Sequence, residues 1–337
     1  METLIGLIII AVGSFCQSSS YVPINKVRAW SWESFWLTQG VFAWIVFPLL
    51  GALLAVPAGA SLGAILASDT GAAAAAFGYG MLWGVGGLTF GLSMRYLGVA
   101  LGQSVSLGTC AAFGTLLPAL LGGRDLLHGQ GLVLLLGVAI TLAGIAVIGY
   151  AGSLRARNMS EEERRAAIRD FALTKGLLVA LLAGVMSACF NLGLEAGRPL
   201  RLEGVNPLFV TLPATLMVTL GGFLTNAAYC LWQNRRNGTF SDYRKTDVLT
   251  RNLLFCALAG GLWYSQFFGF GIGQSFFQPG SVVAAFGWCI LMALNVTFSN
   301  VWGILLKEWR GAGPRTIAVL VAGLAILIFS LVFPNLF

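Results

Sequence analysis

Long apolar stretches separated by short polar connections run along the entire chain. Ten stretches of about 20 residues are dominated by Leu, Ile, Val, Ala, Gly and Phe. Because a helix of about 20 apolar residues crosses the hydrocarbon core of a bilayer, each stretch predicts a transmembrane span. The predicted spans, numbered 1 to 10 in chain order, are 2–22, 34–56, 73–95, 98–121, 130–150, 175–196, 206–232, 252–273, 280–306 and 315–335.

The composition agrees with this pattern. Hydrophobic residues make up 57% of the 337 residues, charged residues make up 10%, and the mean hydropathy is +0.83. These values exclude a soluble domain and predict an all-α integral membrane protein. The first segment, Met1–Thr3, carries no basic residue, so the first apolar stretch is predicted to be a span and not a cleaved signal.

The basic residues are distributed unevenly between the two sides of the predicted bundle. The connections after spans 1, 3, 5, 7 and 9 hold 17 of the 20 Lys and Arg residues, and the other side holds only Arg124, Arg198 and Arg201. Since cytoplasmic connections are enriched in Lys and Arg, these five connections are predicted to be cytoplasmic. Both termini are then periplasmic or extracellular.

The longest cytoplasmic connection, residues 153–174, joins the two halves of the chain. In it, Ser160 is followed three residues later by Glu163, the pattern of a helix capping box. Ile168 and Phe171 add apolar positions after the cap. We expect a short amphipathic helix on the inner leaflet that serves as a linker.

A faint internal repeat relates the two halves. Gly86-Gly87-Leu88 recurs as Gly260-Gly261-Leu262, and Ala143–Ala146 recurs in similar form as Ala322–Ala325. Residues 1–152 and 175–337 are therefore predicted to be two five-helix repeats. Five spans per repeat give the halves opposite orientations, and inverted repeats around a central cavity are typical of secondary transporters.

Polar side chains recur at helical spacing in two spans that the repeat relates. Span 1 carries Ser14, Gln17, Ser18 and Tyr21, and span 6 carries Gly184, Ser187, Asn191 and Glu195. Since polar groups turned to lipid would stay unpaired, both stripes are predicted to face a shared cavity. Gln17, Tyr21 and Asn191 are candidate substrate contacts, and hydrogen bonds between helices are the alternative.

Aromatic residues accompany polar groups in spans 3 and 8. Span 3 contains Trp83 and Phe90, and span 8 contains Trp263, Tyr264 and Gln266. Aromatic faces stack on the apolar side of a sugar ring while amides bind its hydroxyls, so these five residues are further candidates for substrate binding. Packing alone is the alternative interpretation.

Ionisable residues are scarce and lie near the span ends. Glu33 and Arg95, at the cytoplasmic ends of spans 2 and 3, and Glu195, at the outer end of span 6, are candidates for proton coupling or a gate. Interfacial salt bridges are the alternative. The only histidine is His128, in an exterior connection, so nothing in the sequence supports an enzyme or a metal site.

The sequence also restricts what can supply the energy for transport. The sequence contains no GxxxxGK[ST] phosphate-binding loop, which leaves an ion gradient or facilitated diffusion to drive transport.

Several short sequence segments, spread over nearly the whole chain, resemble those of a known protein family. The chain resembles the L-rhamnose/proton symporter family of the drug/metabolite transporter superfamily in Pro23–Glu33 (PINKVRAWSWE), Trp83–Gly86 (WGVG), Gly91–Gly98 (GLSMRYLG), Asn206–Pro213 (NPLFVTLP), Gly260–Tyr264 (GGLWY), Gln266–Phe268 (QFF) and Leu306–Trp309 (LKEW). The resemblance implies proton-coupled import of L-rhamnose or a similar small deoxy sugar through a bacterial inner membrane. It implies no cofactor besides the coupling proton, and no nucleic-acid partner.

Three other functions stay open at this point. Glycine-rich grooves and aromatic residues also suit an exporter of metabolites or amphipathic compounds, and a sugar uniporter needs no coupling ion. A sugar sensor without transport is a further class. Gly87, Thr89 and Phe90 depart from the Asn, Asn and Tyr frequent in the family, which leaves the exact sugar open. The oligomeric state is not predicted.

Overall fold

The computed structural model describes residues 1–157 and 172–336. Within these residues the chain forms helices joined by turns, and no β-strand occurs. The described part contains ten helices long and apolar enough to cross a membrane, which confirms the predicted all-α fold with ten spans. They are Glu2–Ile24, Trp32–Leu53, Thr70–Leu97, Ala100–Leu121, Gly129–Arg157, Leu173–Ala196, Pro207–Asn237, Thr246–Gln274, Val282–Leu305 and Pro314–Asn335.

Several of these spans are built from more than one helical segment. Span 1 comprises Glu2–Ser19 and Tyr21–Ile24, and span 7 begins with the 3₁₀-helix Pro207–Phe209 before the α-helix Leu212–Asn237. Span 2 comprises the α-helices Trp32–Val41 and Phe47–Leu53 with a π-helical turn, Phe42–Val46, between them. Two shorter segments, Leu62–Ala67 and Thr239–Arg244, lie outside the spans. Span 10 ends in the 3₁₀-helix Phe333–Asn335.

Some helices extend beyond the predicted apolar stretches. Span 5 ends at Arg157, seven residues after the predicted end, and span 8 begins at Thr246, six residues early. Apolar windows mark only the part of a helix inside the hydrocarbon, because a helix continues into the headgroup region where polar side chains are solvated. The predicted amphipathic helix, with Ser160 and Glu163, lies outside the described residues.

The chain divides into two compact units. The first comprises Met1–Gly84 and Leu192–Phe276, and the second comprises Val85–Asn191 and Phe277–Phe337. Each unit contains segments from both halves of the sequence, so compactness follows a different division from the predicted repeats, 1–152 and 175–337. The repeats themselves stay a prediction, since duplication concerns the origin of the chain and compactness concerns its packing.

Small residues bring helices close together in the first unit. A Cβ at Gly13 in span 1 would lie 2.6 Å from the carbonyl oxygen of Ser265 in span 8. Gly80 in span 3 leaves no room for a side chain against the backbone of Val218 in span 7. Since lipid offers no hydrophobic drive for helix association, such close approaches supply the packing energy.

The two related Ala-Gly segments meet in the second unit. A Cβ at Gly144 in span 5 would lie 2.7 Å from Leu327, and a Cβ at Gly323 in span 10 would lie 3.2 Å from the Gly144 carbonyl oxygen. Around them, buried Ile145 and Leu320 belong to one hydrophobic core. The repeat motif therefore marks a packing contact between spans 5 and 10.

Candidate functional site

Three tryptophans from different spans form a cluster in the first unit. The ring centroids of Trp44 in span 2 and Trp83 in span 3 are 5.8 Å apart, and Trp263 in span 8 lies 5.9 Å from Trp44 and 5.8 Å from Trp83. We call Trp44, Trp83 and Trp263 the indole cluster. The structure thus brings together the predicted candidates Trp83 and Trp263 and adds Trp44, which the sequence patterns did not single out.

Glycines and a local helix irregularity make room for these rings. A Cβ at Gly40 would lie 2.8 Å from the ring of Trp44, and one at Gly222 in span 7 would overlap the ring of Trp83. Trp44 itself lies in the π-helical turn Phe42–Val46, which shifts the side chains that follow it around the helix. Trp44 is buried, whereas Trp83 and Trp263 are half-buried.

A buried amide ties the surrounding helices together. Asn226 in span 7 is 3% exposed, and its Oδ1 accepts a 3.0 Å hydrogen bond from the indole N–H of Trp36 in span 2. Its Nδ2 donates to the carbonyl oxygens of Gly222 at 2.9 Å and Gly84 at 3.3 Å. The Asn226 amide thus makes three hydrogen bonds to protein groups, which gives it a structural role beside the indole cluster. An amide inside an apolar stretch was the signal that could have identified it.

Gln266 and Tyr264 follow Trp263 on span 8. Gln266 is 4% exposed and donates from Nε2 to the carbonyl oxygen of Trp263 at 3.1 Å. Tyr264 is 5% exposed, and its ring lies against Gly51 of span 2, where a Cβ would overlap the hydroxyl. Both candidates are thus buried in the first unit, on the same span as Trp263.

Several buried polar atoms in the spans of the first unit have no hydrogen-bond partner among the described residues. They include Ser14 Oγ, Gln39 Oε1, Trp44 Nε1 and Tyr264 Oη. A buried polar atom without a partner costs roughly 1–3 kcal/mol, so such atoms mark places where another polar molecule would be bound favourably. These four atoms are two hydroxyl oxygens, one amide oxygen that accepts and one indole N–H that donates, and all of them are uncharged.

The stripe predicted on span 1 is only partly continuous. Ser14 and Ser18 are buried, and Gln17 accepts a hydrogen bond from Ser18 at 3.3 Å. Tyr21, in contrast, is 55% exposed. Tyr21 begins the short helix that follows Glu2–Ser19, and its part in substrate binding stays a prediction.

Two of the candidates, Asn191 and Phe90, belong to the second unit. The Nδ2 of Asn191 in span 6 donates to the carbonyl oxygen of Gly114 in span 4 at 2.7 Å. This bond is of the interhelical kind that formed the alternative for this stripe. Phe90 in span 3 is half-buried. Nearby, Trp288 donates its indole N–H to the Cys110 carbonyl oxygen at 3.3 Å.

Glu33 is a buried carboxylate with neutral partners. It is 6% exposed, and its Oε1 accepts hydrogen bonds from Asn237 Nδ2 and Thr239 Oγ1, each at 2.9 Å. Asn237 is the last residue of span 7 and Thr239 follows it, so Glu33 holds the start of span 2 against the end of span 7. Its predicted gate partner Arg95 belongs to the second unit, and their pairing stays a prediction.

A second carboxylate, Asp242, lies in the connection between spans 7 and 8. It is 4% exposed; its Oδ1 receives a 2.6 Å bond from Lys245 Nζ, and its Oδ2 accepts from the Ser31 N–H at 2.7 Å. Burial would raise the pKa of Asp242, but the bonds from Lys245 and Ser31 outweigh it and lower the pKa from 3.8 to about 2. Asp242 therefore stays ionised and serves as a structural anchor.

Glu195 forms an ion pair at the surface. Arg198 Nη2 lies 2.9 Å from Glu195 Oε1, and Arg198 Nε lies 2.8 Å from Oε2, a two-pronged contact one helical turn apart. The Arg198 side chain is 74% exposed. This geometry fits the interfacial salt bridge that was the alternative for Glu195, and such exposed pairs contribute at most about 1 kcal/mol.

The described residues contain no group of three or more His, Cys, Asp and Glu residues placed to hold a metal ion. His128 bonds to Asp125 at 2.7 Å in the exposed connection between spans 4 and 5.

Ten apolar helices carrying buried polar and aromatic groups define a multi-pass helical membrane protein. Residues 1–335 match the model of the family described as L-rhamnose-proton symport protein (RhaT). The chain is 32% identical over 338 residues to the L-rhamnose-proton symporter of Yersinia pestis (strain Pestoides F), covering 97% of this chain and 96% of that protein. It is 33% identical over 330 residues to the L-rhamnose-proton symporter of Cronobacter sakazakii (strain ATCC BAA-894), covering 95% and 93%.

The chain therefore belongs to the L-rhamnose-proton symport protein family. It is a transporter and not an enzyme, as predicted.

Proposed function

We propose that this protein imports L-rhamnose or a closely related deoxy sugar together with a proton, by alternating access. The family membership and the names of both relatives support the substrate and the coupling ion. Within the molecule, the observation that carries the proposal is the indole cluster inside the membrane spans, with the buried, uncharged Tyr264 and Gln266 following Trp263 on span 8.

The chemistry of this site matches a deoxy sugar. A pyranose such as L-rhamnose has an apolar face of C–H groups and a methyl group, which stack favourably on indole rings like those of the half-buried Trp83 and Trp263. Its hydroxyls need donors and acceptors, which Gln266 and the unpartnered Tyr264 hydroxyl provide. A charged substrate would lack a counter-ion at this site, since none of these groups is ionised at neutral pH.

Glu33 is the proposed proton-binding group. A carboxylate held by an amide and a hydroxyl can bind a proton without breaking an ion pair, because both partners are neutral. Asp242 is unsuited to this role, since Lys245 keeps it ionised. The transporter needs no other cofactor in this proposal.

The proposed transport cycle uses two inverted repeats around a central cavity, as in the drug/metabolite transporter superfamily. The contact between Gly144 and Gly323, which lie at equivalent positions of the two repeats, supports the duplication. We place the protein in a bacterial inner membrane with both termini on the periplasmic side, because the Arg- and Lys-rich connections favour the cytoplasm.

Uptake into proteoliposomes tests this function. With an imposed inward proton gradient, labelled L-rhamnose should accumulate above its external concentration, and an uncoupler should abolish the accumulation. L-mannose and L-lyxose test related sugars, and D-glucose is the control. Equilibration without accumulation would indicate a uniporter and refute the coupling. Absence of sugar transport, together with protection of cells against toxic metabolites, would indicate an exporter instead.

A further inference from the structure

The indole N–H of Trp44 is a buried donor without a partner. Trp44 is 5% exposed, and its Nε1 has no hydrogen-bond partner among the described residues. Other tryptophans within the spans have one: Trp36 donates to Asn226 and Trp288 donates to the Cys110 carbonyl oxygen. Trp30 also has an unpartnered N–H, but it lies between spans 1 and 2, outside the membrane part. The fold therefore supplies an acceptor for the neighbouring indole of Trp36 and not for that of Trp44.

The backbone around Trp44 departs from a regular α-helix. The π-helical turn Phe42–Val46 carries Trp44 at its centre. π-Helical turns are rare, and they occur often at functional sites because they redirect side chains that a regular helix would turn elsewhere. Gly40 lies beneath the ring, and Gly260 of span 8 comes so close that a Cβ there would lie 2.9 Å from the Ala43 nitrogen. Span 2 is thus held tightly at this turn.

Trp44 also lies beside the two half-buried rings of the indole cluster. Its ring plane makes angles of 86° with Trp83 and 78° with Trp263, so Trp44 meets each of these rings in an edge-to-face arrangement. A sugar stacked on the face of either ring carries its hydroxyls around its rim. An indole N–H close to that rim can donate a hydrogen bond to one of these hydroxyls.

We propose that Trp44 donates its indole N–H to a ring hydroxyl of the bound sugar and thereby determines which hydroxyl pattern is accepted. This inference rests on the proposed sugar transport and adds a specificity-determining residue to it. The Trp44 N–H is enclosed in this conformation, and the three rings come from three different spans, so binding in this way requires spans 3 and 8 to move relative to span 2. A site that donates to a particular hydroxyl discriminates strongly against analogues lacking it.

The test compares sugar binding to the full-length wild type and to Trp44→Phe. The substitution removes the donor and keeps an aromatic ring, and loss of one neutral hydrogen bond should weaken L-rhamnose binding about tenfold. The 2-, 3- and 4-deoxy analogues then locate the partner. For one of them the affinities of wild type and variant should be equal, because the acceptor is already absent. If Trp44→Phe does not fold, benzothienylalanine at position 44, which replaces the N–H by sulfur, gives the same comparison.

Trp36→Phe is the matched control, because its N–H is bonded to Asn226. It should lower thermal stability while its sugar preferences among the deoxy analogues stay those of the wild type. Equal L-rhamnose affinity in wild type and Trp44→Phe would overturn the inference and would mean that neighbouring ring faces satisfy the N–H. If the wild type binds none of the sugars, the proposed function itself fails, and the role of Trp44 falls with it.

Discussion

Replacing Glu33 by Gln tests whether this carboxylate carries the coupling proton. The substitution keeps the size of the side chain and removes its charge. In the structure Glu33 accepts bonds from Asn237 and Thr239, and the Thr239 hydroxyl can also accept, so the variant loses at most one hydrogen bond, about 1 kcal/mol. The substitution leaves Lys245 paired, because this lysine is bonded to Asp242 and not to Glu33. The variant is therefore expected to fold and to bind sugar.

The effect on coupling should be much larger. Each pH unit of gradient corresponds to about 1.4 kcal/mol, a factor of about ten in the sugar concentration ratio if one proton accompanies each sugar. A gradient of about two units can therefore drive roughly hundredfold accumulation in the wild type. Glu33→Gln should only equilibrate the sugar, while counterflow of labelled L-rhamnose without a gradient continues.

Asp242→Asn is the matched control for this experiment. Asp242 belongs to the same end of the first unit but is held by Lys245, so its loss should lower stability and leave accumulation intact. Normal accumulation by Glu33→Gln would refute the reasoning and leave Glu33 as a structural contact between spans 2 and 7. Loss of both counterflow and accumulation would also contradict it, because the variant would then have lost sugar transport itself and not only its coupling to protons.

Three further predictions follow from single contacts. Gln266→Ala should weaken L-rhamnose binding by more than about 1 kcal/mol, measured by equilibrium binding in detergent; unchanged affinity would exclude Gln266 from the site. Asn226→Leu should destabilise the protein by about 2 kcal/mol in thermal unfolding, because Trp36 loses its acceptor; introduced into Trp36→Phe, the same substitution should cost less, because the donor is already absent. Since the pKa of Asp242 is lowered from 3.8 to about 2, its contribution of about 2 kcal/mol is present above pH 3.8 and is lost as the pH falls through about 2; Asp242→Asn should not show this loss.

The length and number of the spans were predictable because they depend on local composition. A stretch such as 98–121 is apolar enough by itself to require a helix in the membrane, whatever it packs against. Helix ends beyond the hydrocarbon were less predictable, as Arg157 and Thr246 illustrate, because solvated polar residues carry no apolar signal.

The candidate site was predictable only in part. Trp83, Trp263 and Gln266 were identified because polar and aromatic residues occur together in their spans. Trp44 was missed because it lies among apolar residues, and its significance comes from a π-helical turn and from rings on other spans. Contacts between helices depend on rotation and crossing, which a single sequence does not determine. Asn191 bonds to Gly114, a contact that its spacing alone did not indicate, and its part in substrate binding stays a prediction.

The pairing of glycines with large aromatic rings has a consequence for how this protein can vary among its relatives. Gly222 faces Trp83, Gly51 faces Tyr264 and Gly114 faces Trp288, and in each case a Cβ would overlap the aromatic side chain. A relative with a larger residue at one of these glycine positions must carry a smaller or displaced partner, so the two positions should change together. Joint substitution at the pair of Gly222 and Trp83 would then mark relatives whose sugar-stacking surface, and with it their substrate, has diverged.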